Sequence, residues 1–119
     1  MNNEAFVEAI KQYVGEAAVE DMIANLKNPP GRRVSQKEKM RSDWYNSLSE
    51  LERDYIGSIV ADAVHEALFG LLAVLDGVRA IEDGESKGHF ELSYVDEKNQ
   101  ILLNNPNDIG LHDLFNVSE

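Results

Sequence analysis

Three side chains at helical spacing, Asp62, His65 and Glu66, form the tightest set of groups in the chain able to do acid–base or metal chemistry. Offsets of three and four residues bring side chains together on one helix face, so two carboxylates and an imidazole could project toward a single ion. The second histidine of an HExxH zinc motif is missing, which removes the metalloprotease reading. The same residue types also suit the solvent side of an acidic helix. Glu16 and Glu20 make a second carboxylate pair at i, i+4. Asp76 shares an ideal helix face with Asp62 and His65, but lies about 21 Å and about 16 Å from them along the axis. It cannot join them on one ion. Its near partner is Arg79 at i+3, a spacing that suits an ion pair, so Asp76-Gly77 reads as the solvated or ion-paired edge of a helix.

If the helices bearing them converged, Glu16, Glu20, Asp62 and Glu66 would resemble the carboxylates that all-helical nucleotide pyrophosphohydrolases present to magnesium, which clamps substrate phosphates. Those enzymes favour ExxE spacings, which these pairs do not show. His112-Asp113 is an HD dipeptide without the later aspartate that HD-type phosphohydrolases need. The chain has no GxSxG, no P-loop, no GxGxxG and no cysteine. Nucleophilic cysteine chemistry, disulfides and thiolate metal sites are therefore excluded, and no resident cofactor is expected. The metal-dependent alternative would need a divalent ion such as magnesium.

Charge narrows the field further. The net charge is −11, and it is uneven: residues 57–119 hold twelve acids against three bases, a net of −9. Such a surface repels nucleic acid and anionic membrane and attracts basic partners. The one basic stretch, RRVSQKEKMR at residues 32–41, suits either a phosphate or acidic partner, or a solvated helix start. The N-terminus MNNEAFVEAI lacks the basic-then-apolar order of a signal peptide. The longest uncharged apolar run, Ala67 to Leu75, is far below the roughly 20 residues a bilayer span needs. A soluble, cytoplasmic protein is expected.

The elements that must position these groups are mostly helical, and a single domain over 1–119 is expected. Phe6, Ile10, Tyr13, Val14 and Ala17 recur on one helix face, then the phase fails: Val19, Met22, Ile23 and Leu26 fall nearly opposite. Two helices or one bent helix are expected, with the break near Gly15. Asn28-Pro29-Pro30-Gly31 ends the run, since proline lacks the amide donor. Ser35 with Glu38 and Ser49 with Glu52 have capping-box spacing. They predict a helix over 36–46 burying Met40 and Trp44, and a long central helix over about 50–82. At about 50 Å the latter is long enough to expect a kink at Gly57, Gly70 or Gly77. Its expected core face is Ile56, Val60, Val64, Ala67, Leu71, Val74 and Val78, widened by Leu68, Leu72 and Leu75. Glu85–Gly88 reads as a turn. His89 to Val95 alternates as a half-buried strand and Gln100 to Leu103 returns, giving a C-terminal hairpin over about 89–103. Leu111, Leu114 and Phe115 form a last apolar turn after the loop 104–108. The fold class is α+β, mostly α: a helical bundle around the long helix, with the hairpin at its end. A homodimer would cover the hairpin's edges.

With LLAVLDGVRAIED, FELSYVD and LHDLFN, the chain resembles, over roughly residues 44–116, a group of small acidic bacterial proteins without assigned function. They are similar in character to immunity proteins that neutralise secreted toxins. The resemblance implies a protein-binding role and brings no catalytic residue with it. Two functions from different classes follow. One is a non-enzymatic module that binds a basic protein partner. The alternative is a small metal-dependent hydrolase of nucleotides or phosphoesters that uses the helix-borne carboxylates.

Overall fold

The computed structural model describes residues 1–85 and 88–117. In chain order the elements are α1 (Asn3–Ile10), a π-helical segment (Lys11–Glu16), α2 (Ala17–Lys27), α3 (Gln36–Ser47), α4 (Glu50–Leu75), β1 (Ser93–Val95), β2 (Gln100–Leu102) and α5 (Leu111–Asn116). The architecture is mostly α, with one two-stranded antiparallel hairpin near the C-terminus. The turn expected at Glu85–Gly88 includes Ser86 and Lys87, which lie outside the described residues.

The lost helical phase near Gly15 has a specific cause. The chain runs unbroken from α1 into α2 through the π segment, and its buried positions are Val7 and Leu26. Eighteen α-helical residues make five turns, yet Leu26 stands nineteen after Val7. A π turn takes up one extra residue and returns Leu26 to the line of Val7. The expected break is thus a change of winding within one helix.

α2 ends before the two prolines, and α3 supplies the partners of its last carbonyl, that of Lys27. Ser42 Oγ and Asn46 Nδ2 both donate to the Lys27 carbonyl, at 3.3 and 2.9 Å. That docking turns α3 so that Ser42 and Tyr45 are buried. Met40 and Trp44, expected inside, are 62% and 51% exposed. Polar satisfaction of an orphan carbonyl decides the face here, rather than the apolar pair. At the start of α3, Glu38 N–H donates to Ser35 Oγ, while the Glu38 carboxylate accepts from the Ser35 hydroxyl. Ser49 and Glu52 form the full reciprocal capping box at the start of α4.

α4 passes through Gly57 and Gly70 as one helix and stops at Leu75, short of the expected 82. Gly77 ends it. Its φ of 79° is the left-handed conformation, and Gly77 N–H donates to Val74 O while Val78 N–H donates to Ala73 O, both at 3.0 Å. This is a Schellman motif, which takes up carbonyls the helix end leaves free. The core gathers at this end: Val7, Leu72, Leu111 and Phe115 are buried together, with Phe6, Leu68, Phe69, Leu75, Leu92 and Leu114 packed on them. The expected core face is therefore displaced. Ala67, Leu71 and Val78 are exposed, and Leu68 and Leu72, expected at the margin, carry the packing. By length and composition α4 is also apolar enough to cross a bilayer.

The hairpin pairs Ser93 with Leu102, Tyr94 with Ile101 and Val95 with Gln100. Its turn is held by Asp96, whose Oδ1 accepts the amides of Lys98 and Asn99 at 2.9 and 2.7 Å. Those two amides hold the exposed Asp96 carboxyl below its ordinary pKa. The ladder is shorter than expected because its inner end is finished by a side chain. Leu103 N–H donates to Leu92 O at 2.7 Å, and Asn104 Oδ1 then accepts from Leu92 N–H at 2.8 Å.

Candidate functional site

Two places collect chemically capable side chains. The larger is a groove of about 370 Å³ between the N-terminal helix and α4, lined by Lys11, Gly15, Glu16, Val19, Glu20, Ala61, Val64, His65, Leu68 and Phe115. The π segment forms part of its wall, a feature often found at functional sites. Phe115 is buried, and two cations or potential cations lie against its ring. Lys11 Nζ stands 5.4 Å from the ring centroid and donates to the Leu114 carbonyl at 3.5 Å. The His65 ring lies 4.7 Å from it, centroid to centroid, with Nε2 3.1 Å from Asn116 Oδ1.

Three of the five residues singled out from the sequence, Glu16, Glu20 and His65, therefore line one groove. Asp62 and Glu66 open instead onto an adjoining shallow recess, shared with Ala61 and His65. Among the described residues, no group of three His, Asp or Glu side chains is placed to hold a metal ion. His65 is held by Asn116 and Phe115, which fixes its ring at the boundary between the two recesses.

The second place was not expected from sequence. Asp76, at the C-cap of α4, has a side chain only 6% exposed. Its Oδ2 accepts from the backbone amide of His112 at 2.9 Å and lies 2.5 Å from His112 Nδ1. With the carboxylate ionised, Nδ1 carries the proton. The other ring nitrogen, Nε2, faces Asp113 Oδ1 at 3.4 Å, and the ring edge meets Phe69 at 5.8 Å. The expected Asp76–Arg79 ion pair does not form: the Arg79 guanidinium lies over Gly70, in the space a Cβ there would take.

This pair does structural work that can be specified. The N-cap of α5 is Gly110, which has no side chain to satisfy the free amides of the first turn. Asp76 supplies the missing carboxylate from another helix, and negative charge is favoured at that end. Gly110 makes room for it, since a Cβ there would lie 2.9 Å from Asp76 Oδ2. One residue earlier, the Leu75 carbonyl accepts from Asn104 Nδ2 at 2.7 Å, and the same amide donates to Phe90 O at 2.8 Å. The end of α4 thus holds the hairpin through Leu75 and α5 through Asp76.

Two signals in the sequence point to this arrangement. An acid at a helix C-terminus opposes the helix dipole and so calls for a second role. Gly110 before Leu111 leaves a helix start uncapped, which calls for a cap from elsewhere. Asn104 carries no such signal, because Asn104-Asn105-Pro106 reads as any polar loop does. Comparison with family models, with curated proteins and with solved structures finds no match to the chain.

Proposed function

We infer that the protein is a non-enzymatic binding module whose acidic C-terminal half meets a basic protein partner. The observation that carries this reading is uncompensated charge. Among the described residues of 57–119 every acid except Asp76 is exposed. No Lys or Arg among the described residues stands within 4.0 Å of a carboxylate, and the ion pairs present all use histidine. Carboxylates not neutralised within the chain are free to speed and orient the approach of a cationic surface.

The test is affinity capture at low and at raised ionic strength, using the wild-type chain and Glu91→Lys/Glu97→Lys. Asp96 is left intact because it holds the hairpin turn. A basic protein retained by the wild type, released as salt rises and lost with the charge reversal is the expected result. Retention that ignores both salt and charge reversal would overturn the reading.

A second reading, a small metal-dependent hydrolase of nucleotides or phosphoesters, is supported by the groove where Glu16, Glu20 and His65 meet. Titration with magnesium, manganese and zinc separates the two. Micromolar binding that disappears in Glu16→Ala/Glu20→Ala or in Asp62→Ala/Glu66→Ala favours the hydrolase. Its absence retires it.

A further inference from the structure

We propose that the outward face of α3 docks on an anionic bilayer surface, at the end of the molecule away from the acidic half that would meet a basic partner. Lys37, Met40, Arg41 and Trp44 stand at i, i+3, i+4 and i+7 of one helix, within an arc of about 100°. All four are exposed, Met40 by 62% and Trp44 by 51%. Ser42 and Asn46, which bond to Lys27, point the opposite way. The two acids of α3, Glu38 and Asp43, fall outside the arc, each about 60° beyond its edge. Just before the helix, Arg32 and Arg33 are exposed as well. None of these cations forms an ion pair with a carboxylate among the described residues.

Charge, side-chain type and shape together favour a bilayer. Residues 32–41 carry five basic residues and one acid, a density suited to anionic headgroups. A tryptophan ring settles at headgroup level, apolar body inward and N–H outward, and Met40 beside it can enter the acyl boundary. Nucleic acid would offer Trp44 a base to stack on but no aliphatic surface for Met40. Peptides are received in grooves or on free sheet edges, whereas this face is the convex outer side of a single helix. The acidic half does not oppose the contact. α3 is fastened to α2 at Lys27, while Val7 of α1 packs with Leu111 and Phe115 of α5. Twenty positions of continuous helix separate Val7 from Lys27, about 30 Å. That is more than three screening lengths of about 8 Å at physiological ionic strength.

Trp44 is the only tryptophan in the chain, so its fluorescence reads this face directly. Vesicles of equal parts phosphatidylglycerol and phosphatidylcholine should bind the full chain, shift Trp44 emission to the blue and shield it from acrylamide. Pure phosphatidylcholine should leave it unmoved. Salt raised toward about 1 M, where the screening length is about 3 Å, should release the protein. Lys37→Gln/Arg41→Gln should weaken binding about 25-fold, at about fivefold for each basic residue lost. Glu91→Lys/Glu97→Lys, which tests the acidic half, should not weaken it. A wild-type chain whose Trp44 ignores the anionic vesicles overturns the proposal, and so does equal binding to both kinds of vesicle. Quenching of Trp44 by a single-stranded oligonucleotide, with vesicles silent, would assign the face to nucleic acid instead.

Discussion

One oxygen of Asp76 accepts from two nitrogens of His112, the backbone amide at 2.9 Å and Nδ1 at 2.5 Å. The contact joins the end of one helix to the start of another, and Gly110 is the residue that permits it. Asp76→Ala should cost about 1–3 kcal/mol, the usual penalty for leaving a buried donor unpaired. Gly110→Ala should cost about as much through crowding against both Asp76 Oδ2 and the His112 ring, but less in the Asp76→Ala background, where the oxygen is gone and the ring is no longer held in place by it. Urea unfolding of the two single variants and the double variant measures this. Equal costs of Gly110→Ala in both backgrounds would show that the contact is not what excludes a side chain.

Asn104 joins three backbone groups from separate segments: the Leu75 and Phe90 carbonyls and the Leu92 amide. Asn104→Ala should lower stability by about 1–3 kcal/mol. It should also strip the Leu92 amide of its protection against hydrogen exchange while leaving amides in the middle of α4 protected. Unchanged protection at Leu92 would mean that another group takes over its amide.

Acid should loosen the start of α4. The Ser49 backbone amide and hydroxyl both favour the charged form of Glu52 and hold its carboxyl below the ordinary 4.5. A lowered folded-state value stabilises the fold fully above the ordinary value, and that contribution is lost as pH falls through the folded value. Carboxyl chemical shifts followed against pH should place the Glu52 midpoint below 4.5, and Ser49→Ala should move it upward. Ser49→Ala keeps the backbone amide, the larger cause, so a midpoint that ignores it would remove only the hydroxyl.

The π segment predicts an asymmetry between losing and gaining a residue. Deleting Tyr13, which is 73% exposed, puts Leu26 eighteen positions after Val7, five turns of regular helix. The variant should therefore fold. Inserting an alanine after Tyr13 should turn Leu26 about 100° out of the core and cost much more. Thermal melts of the pair decide it, and equal losses would refute the phase argument.

How far this was legible from sequence depends on the range of the interaction. The Ser49–Glu52 box, the stop at Pro29 and the Asp96–Asn99 turn each act over a few residues, and each stands where its residue types indicate. The helix faces were harder. In α3 the sequence offers Met40 and Trp44, but the docking is set by Ser42 and Asn46 reaching Lys27. In the second half of α4 nearly every side is apolar, so periodicity cannot choose among them; Asp76, Asn104 and α5 choose. Of the residues marked for chemistry, Glu16, Glu20 and His65 line one groove with the π segment in its wall; the lost phase near Gly15 marks that place in the sequence but does not say whether the helix breaks there or changes its winding.

The ties at the end of α4 also bear on the order of assembly. The α2–α3 bonds link residues fifteen and nineteen positions apart, so that helical pair can form early. The C-terminal third is held otherwise, through Asn104 to Leu75 across 29 positions, His112 to Asp76 across 36, and Lys11 to Leu114 across 103. Long loops must close before such contacts give any return. The hairpin and α5 are therefore expected to dock late onto a preformed helical frame and to be the first parts to lift away from it.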